Sequence, residues 1–479
     1  MKKPNIVLIL CDQLRAFDVG CYGNSVIRTP HIDRLAREGV RFETAVTNNP
    51  VCTPARSCLL SGQYGRTCSG EVGNVADDPL AADRTKLLDP TLAEILRSNG
   101  YRTAAIGKWH LHPQPEPVGF DEAYYPLAIH RYRQQRYWHR GKLGEPVAEF
   151  ALEHEIGKAA DYVAARRSQP FFLFYNIPLP HEPIGRDDLP ERYLTMYGKT
   201  EVPIRSNAWH DGRLAHSEHW FRIYTIWDYF WRTCPGGCWG SCEGYPTEFG
   251  ERETDRMPDG FDLRDLTAFY YGAVTCTDDY VGRLMAILEQ NRLLDNTIVV
   301  FVSDHGDNLG SHQLFNKDCL FEESIRIPLI VWYPPEIAAQ ANTRQIAQII
   351  DVAPTLLDLC QLEVPPHVQG RSLLPVLRRQ RDELPGNAAF IETDQFFFKR
   401  PCIGVRTPTH LYGVRLSDDW RGIDDDWGFY DLRTDPYQMT NLAGSAAGAA
   451  DRDKVRARLA RWNETTPWLP VSRKRGCNP

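Results

Sequence analysis

The segment Thr297-Ile298-Val299-Val300-Phe301-Val302-Ser303 is a continuous apolar run of strand length, and a long helical pattern, Asp262–Leu294, leads directly into it. Uninterrupted apolar runs of this kind are typical of strands that are buried on both faces of a parallel sheet. Runs of the same character recur along the chain at Ile6–Leu10, Thr103–Gly107, Phe171–Ile177 and Ile327–Trp332. The sequence therefore predicts a sheet with several buried strands.

Helical patterns separate most of these runs. Thr29-Pro30 begins one helix that ends at Gly39, and Asp89-Pro90 begins another that ends at Gly100. Proline suits the first helical turn, and glycine suits the position after the last one. The alternation predicts an α/β fold, with a large mixed or mostly parallel sheet flanked by helices.

Two domains are expected. Residues 1–378 form the N-terminal α/β domain, with insertions near 112–140 and 185–260, and residues 385–479 form a smaller C-terminal α+β subdomain. The polar run Arg378–Asp382 marks the linker between them. The second insertion contains the tryptophan-rich stretch Trp209–Trp239. These side chains either form a wall for a sugar or aryl ligand or pack the insertion itself or an oligomer interface.

The composition excludes several classes of protein. A formal net charge of −7 over 479 residues, with 55 Lys and Arg against 62 Asp and Glu, does not favour binding to nucleic acid or to an anionic membrane. No run of 18 apolar residues predicts a transmembrane helix. The N-terminal apolar run is too short for a signal peptide, so we expect a cytoplasmic protein. The 13 cysteines, an odd number, do not suggest a disulfide scaffold at this length.

Polar side chains follow four of the expected strands where each strand ends. Because ligands bind outside the carboxyl ends of the strands in open α/β sheets, these side chains are expected at one rim. They are Asp12-Gln13, Lys108 with His110, His181, and Asp304-His305. Carboxylate and amide oxygens with an imidazole suit a divalent cation such as Ca²⁺, Mg²⁺ or Mn²⁺. The alternative interpretation treats the acids as ordinary loop residues or helix caps.

The segment Pro50–Gly62 carries the sharpest local signal. Pro54 can start a helix and Gly62 can end it, which places Cys52 at or just before the helix N-terminus. A cysteine at that position is a candidate nucleophile, with Arg56 one turn along to stabilise an anion. From the residues alone, a buried inert thiol is the other interpretation.

With these residues the chain resembles the sulfatases of the alkaline-phosphatase superfamily. Their signature, Cys-x-Pro-x-Arg followed by small and apolar residues and Gly, is satisfied by Cys52–Gly62. The resemblance also covers Asn5–Gln13, Gly20–Phe42, Gly107–Leu111, Pro180–Pro183, Thr297–Gly310, Asn316–Ile330, Gln369–Leu374 and Phe429–Ala443. It does not cover the two insertions.

The resemblance implies that a maturation enzyme oxidises Cys52 to formylglycine. One hydroxyl of the hydrated aldehyde attacks sulfur and the alcohol leaves. The second hydroxyl then re-forms the aldehyde and expels sulfate, so no water has to attack the sulfate ester itself. The expected enzyme is an arylsulfatase-like sulfuric ester hydrolase acting on a small aryl or carbohydrate sulfate. It binds one divalent cation, Ca²⁺ first and Mn²⁺ or Mg²⁺ as alternatives, and a homo-oligomer is compatible with the sequence.

The resemblance also implies roles for individual residues of this sequence, at the positions that match the functional residues of the sulfatases. Arg56 matches the residue that holds formylglycine in place. The matches to the metal ligands are Asp12, Gln13, Asp304 and His305. The matches to the residues that grip the sulfuryl group and protonate the leaving oxygen are Lys108, His110, His181 and Lys317. For His312, a contact to the substrate and a structural role in its loop are equally open.

The metal set departs from that of many sulfatases, which have a second aspartate at position 13 and asparagine at position 305. The combination Asp-Gln with Asp-His also resembles the phosphonate monoester hydrolases and phosphodiesterases that share this fold and the formylglycine, and these are the alternative function. A non-catalytic binding protein on the same fold is a third class, and the intact segment Cys52–Arg56 argues against it.

Overall fold

The computed structural model describes residues 3–469 except 71–72, 74–85, 112, 128–129, 166, 187, 209–216, 227–255, 395–399, 418–419 and 421. The cysteine cluster Cys234, Cys238 and Cys242 and most of the stretch Trp209–Trp239 lie outside the described residues.

A large mixed sheet forms the centre of the fold. Its strands are β1 (Asn5–Asp12), β2 (Val40–Val46), β3 (Arg102–Gly107), β4 (Glu122–Pro126), β5 (Tyr137–His139), β6 (Lys142–Leu143), β7 (Phe171–Pro180), β8 (Thr297–Ser303), β9 (Arg326–Ile327), β10 (Leu329–Trp332) and β11 (Gln340–Gln348). The order is β11-β2-β10-β8-β1-β7-β3-β4-β5-β6, and β9 pairs with β2. The middle strands β8, β1, β7, β3 and β4 are parallel to one another.

Most helices flank this sheet, and the last one packs against the smaller C-terminal sheet. They are α1 (Pro30–Glu38), α2 (Cys52–Ser61), α3 (Gly65–Cys68), α4 (Leu92–Ser98), α5 (Ala151–Ala164), α6 (Glu191–Leu194), α7 (Ser217–Thr225), α8 (Leu263–Gln290), α9 (Glu322–Ile325), α10 (Val352–Leu359), α11 (Leu374–Leu377) and α12 (Ala449–Thr465). Short 3₁₀ helices lie at Ala16–Asp18, Gly20–Tyr22, Glu116–Val118, Leu294–Asn296 and Ile349–Asp351.

Strand β1 shows why two cores form. Successive residues of a strand point to opposite faces, and every residue of β1 is buried. Ile6 and Leu8 belong to one apolar cluster, which contains residues of α2, α4 and α10. Val7 and Ile9 belong to the other, which contains residues of α1, α5 and α8. The central strand is therefore apolar on both faces from Ile6 to Cys11, as the sequence run Ile6–Leu10 predicts, with Asn5 and Asp12 at its two ends.

A smaller antiparallel sheet follows near the C-terminus. Its strands β12 (Ala389–Thr393), β13 (Cys402–Arg406), β14 (His410–Leu416) and β15 (Ile423–Asp431) lie in that order. Ile403 of β13 and Leu459 of α12 share one apolar cluster with residues of the main sheet. The small sheet is thus attached to the main domain through a continuous core.

The predicted fold class is confirmed, and the structure adds detail that the sequence pattern did not provide. Within residues 112–140, β4 joins the main sheet beside β3 and β5 extends it in antiparallel fashion. The short β4, half-buried at Glu122, Tyr124 and Tyr125, lacks the apolar run of a central strand. No helix among the described residues is long and apolar enough to cross a membrane. Nine cysteines in the described part of the chain are free thiols.

Candidate active site

Four parallel strands bring their carboxyl ends to one rim of the sheet. They are neighbours in the order β8, β1, β7, β3. Asp12 ends β1, and Asp304, His181 and Lys108 each directly follow one of the other three strands. All four side chains are buried at this rim. The edge of the sheet thus collects two acids, an imidazole and an ammonium group.

Gly107 allows the chain to turn from β3 into this rim. Its φ is +92°, a conformation that favours glycine. A Cβ at this position would lie 2.0 Å from the carbonyl oxygen of Asn176 on the neighbouring strand β7. Glycine therefore permits the close approach that directs Lys108 into the site.

Cys52 is the first residue of α2, and every residue of this helix is buried. Gly62, with φ +67°, ends the helix, and its N–H donates to the carbonyl oxygen of Cys58 at 2.9 Å. The Cys52 Sγ lies 3.2 Å from His305 Nε2 and 3.4 Å from Lys317 Nζ. Asp12 Oδ1 at 3.7 Å and Lys108 Nζ at 3.8 Å complete its polar surroundings. The sulfur thus occupies the point where the strand ends and the helix N-terminus meet.

The Cys52 thiol itself is a poor nucleophile in this setting. Burial and the Asp12 carboxylate raise its pKa to about 11, although Lys108 and Lys317 oppose the shift. Reactive cysteines need the thiolate form near neutral pH. The sulfur is therefore placed like a nucleophile but keeps its proton.

Arg56 holds the two acids of the rim. Its Nη2 donates to Asp12 Oδ2 at 2.7 Å and to Asp304 Oδ2 at 3.1 Å, and its Nη1 donates to the Lys108 carbonyl oxygen and to Asn176 Oδ1. The side chain is completely buried. The guanidinium thus fixes the carboxylates that face the Cys52 sulfur.

The acids and His305 form a compact group of potential metal ligands. One ligand atom from each of Asp12, Cys52, Asp304 and His305 lies within 4.8 Å of all the others. The Nδ1 of His305 lies 2.9 Å from the Gly306 carbonyl oxygen, so Nδ1 carries the proton and the Nε2 lone pair faces the group. This tautomer suits coordination of a cation.

The two carboxylates differ in their pKa. Burial alone would raise the pKa of Asp12, but Lys108, His181 and Arg56 hold it well below its usual range. Burial and the charge of Asp12 raise the pKa of Asp304 to about 7, although Arg56 opposes the shift. The negative charge of Asp12 beside Asp304 thus favours the protonated form of the second carboxyl.

Lys317 and His181 form a proton-carrying pair. The Lys317 Nζ lies 2.6 Å from His181 Nε2 and 2.6 Å from Gln13 Oε1. Burial and Lys317 lower the pKa of His181, and its Nδ1 lies 2.7 Å from the Glu182 carbonyl oxygen, so the neutral ring accepts from Lys317. Burial alone would lower the pKa of Lys317, but the neighbouring acids Glu182 and Asp12 raise it. The ammonium therefore keeps its charge inside the site.

Lys108 and His130 complete the cluster. The Lys108 Nζ lies 2.5 Å from Asp12 Oδ2 and 3.5 Å from His130 Nε2. The His130 ring stacks on His181 with the centroids 3.8 Å apart, and His110 lies edge-on to it at 6.1 Å. The His110 carbonyl oxygen accepts from the Thr53 hydroxyl of α2.

The structure brings the sequence-predicted residues together around Cys52. His110 lies beside this group, with its ring edge-on to His130 and its carbonyl oxygen accepting from the Thr53 hydroxyl. His312 stacks on Phe321 at 3.6 Å, and its Nε2 lies 3.0 Å from Asn207 Nδ2. The histidine thus joins its own loop region to Asn207 of the region 185–260.

Sequence reasoning missed several residues of the site. His130 comes from the region 112–140, which shows no local signal of a site. Asn176 lies inside a buried strand and holds Arg56. Glu182 directly follows His181, and Asp307 lies two residues after His305. This closeness to predicted residues at strand ends is the signal in the sequence that could have identified them.

Chemically, the arrangement suits an anionic group held next to a cation. Two buried ammonium groups and a guanidinium surround two carboxylates, an imidazole and a helix N-terminus. Such fixed charges in a dry site stabilise negative charge that develops during a reaction.

Family models match most of the chain. Residues 4–362 match the model described as Sulfatase, and residues 310–465 match the model described as N-sulphoglucosamine sulphohydrolase, C-terminal. The chain is 29% identical to an N-acetylglucosamine-6-O-sulfatase of Bacteroides thetaiotaomicron, covering 95% of this chain and 85% of that protein. It is 27% identical to an arylsulfatase of Clostridium perfringens, covering 92% of this chain and 91% of that protein.

Solved structures share the fold. One protein, solved in complex with its substrate D-glucosamine-2-N,6-O-disulfate, aligns with a TM-score of 0.78 and 26% identity over 97% of this chain and 98% of that chain. The phosphonate monoester hydrolase of Agrobacterium radiobacter aligns with a TM-score of 0.71 and 22% identity, covering 97% of this chain and 96% of that chain. At that identity the likeness shows the fold alone.

Proposed function

Since the chain belongs to the sulfatase family, whose members hydrolyse sulfate esters, we propose that it removes sulfate from a sulfated saccharide with a formylglycine made from Cys52. One observation carries this proposal. The Cys52 sulfur lies at a buried helix N-terminus, within 4 Å of Asp12, His305 and the ammonium groups of two lysines.

Conversion of Cys52 agrees with its surroundings. A thiol whose pKa is about 11 is almost entirely protonated near neutral pH. In its formylglycine form, residue 52 would supply a hydroxyl oxygen of the hydrated aldehyde at the position of the sulfur. The proposal therefore requires a formylglycine-generating maturation enzyme in the host.

A divalent cation fits the donor set. Asp12, Asp304 and His305 present two carboxylates and an imidazole lone pair within 4.8 Å of one another. Gln13 Oε1 faces the same rim, where Lys317 donates to it. Hard oxygen donors favour Ca²⁺ or Mg²⁺, and the imidazole widens the choice to Mn²⁺. A bound cation would lower the pKa of a coordinated hydroxyl and neutralise sulfuryl oxygens.

The side chains of the protein would hold and protonate the ester. Lys108 and Lys317 both place their ammonium groups within 4 Å of the Cys52 sulfur and can bind the sulfuryl oxygens through charge-assisted hydrogen bonds. Lys317 also donates to His181 at 2.6 Å, so this pair can deliver a proton to the leaving oxygen. Arg56 keeps Asp12 and Asp304 in place throughout.

A saccharide is the favoured substrate because of the relatives. An N-acetylglucosamine-6-O-sulfatase and a Ulvan-active sulfatase, the latter from Formosa agariphila, match 95% of this chain at 29% and 28% identity. The structural neighbour with a glucosamine disulfate as its substrate supports the same class.

Two measurements test the proposal. Mass spectrometry of the tryptic peptide that spans Cys52, from protein made with a maturation enzyme, is expected to show the aldehyde mass, and an unmodified thiol in active protein would contradict the mechanism. Parallel kinetics should use N-acetylglucosamine-6-sulfate, an aryl sulfate, a phenylphosphonate monoester and a phosphate diester. A kcat/KM that favours a phosphorus ester by orders of magnitude would overturn the sulfatase assignment.

A further inference from the structure

Five side chains next to the candidate metal site form a closed ring of hydrogen bonds. Four of them are completely buried, and the fifth, Asn316, is partly buried. We call them the Gln13 ring: Gln13, Glu182, Tyr224, Asp307 and Asn316. They come from four separate segments of the chain, with Asp307 and Asn316 in one loop, so only the folded structure brings them together.

Two carboxylates bind the amide nitrogen of Gln13. The Nε2 donates to Glu182 Oε2 at 2.5 Å and to Asp307 Oδ2 at 2.7 Å. A carboxylate accepts hydrogen bonds, so the NH₂ end of the carboxamide must face the two acids. The oxygen Oε1 then points the other way, to the rim where Lys317 Nζ lies 2.6 Å from it.

Tyr224 and Asn316 close the ring. The Tyr224 hydroxyl lies 2.9 Å from both carboxylate oxygens of Asp307 and accepts from the backbone N–H of Asn316 at 2.8 Å. The Asn316 Nδ2 donates to Glu182 Oε1 at 2.8 Å. Because Asn316 directly precedes Lys317, the same ring holds the backbone N–H of the residue just before that lysine. Tyr224 belongs to α7, within the region 185–260 that the family resemblance does not cover.

We propose that Glu182, Asp307 and Tyr224 are positioning residues that turn the oxygen of Gln13 toward the cation and hold the Lys317 loop. The inference rests on the proposed metal-binding role of Gln13. It also gives a physical reason for glutamine at this position. A carboxylate there would face two other carboxylates and would offer them no proton.

The substitution Gln13→Glu gives the sharpest test. The variant keeps the length of the side chain and adds a negative charge. Without its neighbours, a glutamate at position 13 would therefore bind a divalent cation more tightly than glutamine does. The ring leads to the opposite expectation, since the two donated hydrogen bonds become repulsive contacts. We expect the dissociation constants for Ca²⁺ and Mn²⁺, measured by calorimetry on chelator-treated protein, to rise by about tenfold or more. Affinity equal to or tighter than that of the unsubstituted protein would overturn the proposal.

The substitution Tyr224→Phe tests the link from α7. The variant keeps the aromatic ring of residue 224, whose centroid lies 5.7 Å from that of Phe315, and removes only the hydroxyl. Loss of a residue that hydrogen-bonds to a metal ligand typically lowers metal affinity or activity by about 10- to 100-fold. We expect kcat on para-nitrophenyl sulfate and the affinity for Mn²⁺ to fall by about tenfold or more, with a melting temperature close to that of the control variant.

Tyr280→Phe is the matched control. Its side chain is also buried, and its hydroxyl donates to Glu153 at 2.7 Å, on helix α5 and outside the site. This variant should keep both kcat and metal affinity. If Tyr224→Phe behaves like Tyr280→Phe, α7 does not position the site and the inference is wrong. If the unsubstituted protein neither binds the cation nor cleaves the sulfate, the proposed function itself fails, which is a separate result.

Discussion

Replacement of Arg56 by methionine should destabilise the protein measurably. Methionine keeps much of the side-chain volume but removes the charge and all hydrogen-bond donors. Asp12 and Asp304, both completely buried, would lose the guanidinium that lies 2.7 and 3.1 Å from their oxygens. Loss of one partner from a buried ion pair costs about 3–5 kcal/mol. The loss falls mainly on Asp304, because Asp12 keeps the ammonium group of Lys108 2.5 Å away.

The expected change in melting temperature follows from the length of the chain. Unfolding entropies of about 2.1 cal/mol/K per residue give about 1 kcal/mol/K for 479 residues. A loss of about 3–5 kcal/mol then lowers the melting temperature by about 3–5 °C.

The assay is thermal unfolding of chelator-treated protein, since a bound cation would itself compensate the two acids. Arg97→Ala is the control, because Arg97 lies exposed on helix α4. Its melting temperature should stay within about 0.5 °C, as is usual for surface substitutions. If the melting temperature of Arg56→Met equals that of the control, Arg56 does not hold the acids and the electrostatic account of the site is wrong.

Three further outcomes are expected. Cys52→Ala should abolish sulfate release while the protein remains folded by circular dichroism, and turnover near that of the unsubstituted enzyme would show that another residue is the nucleophile. Removal of divalent cations by EDTA should abolish activity, and added Ca²⁺ or Mn²⁺ should restore it; full activity in protein shown to be metal-free by elemental analysis would contradict the metal site. Burial raises the pKa of Glu155 to about 8. The folded state therefore holds a proton that the unfolded chain releases from about pH 4.5, so stability should fall by about 1.4 kcal/mol per pH unit up to about pH 8. Glu155→Gln should remove this contribution to the pH dependence of stability in urea unfolding at pH 5 and pH 8, and a pH dependence identical to that of the unsubstituted protein would refute the shift.

The sequence determined the class of fold and the edge at which the site lies. The run Thr297–Ser303 and its counterparts are apolar because central parallel strands are covered on both faces, and that requirement is visible in the residues themselves. The polar residues after these strands then had to meet, because parallel neighbours end at the same rim. The signature Cys52–Gly62 identified which side chain lies at the centre.

The tertiary structure alone decided how those residues are held. The contacts of His130 with His181, of Asn176 with Arg56 and of Tyr224 with Asp307 join segments far apart in the chain. Hydrogen bonds and ring contacts of this kind leave no periodic pattern, since each depends on the position and direction of a single side chain. Strand burial repeats along the chain and can be recognised there, whereas the orientation of Gln13 depends on two acids that only folding brings beside it.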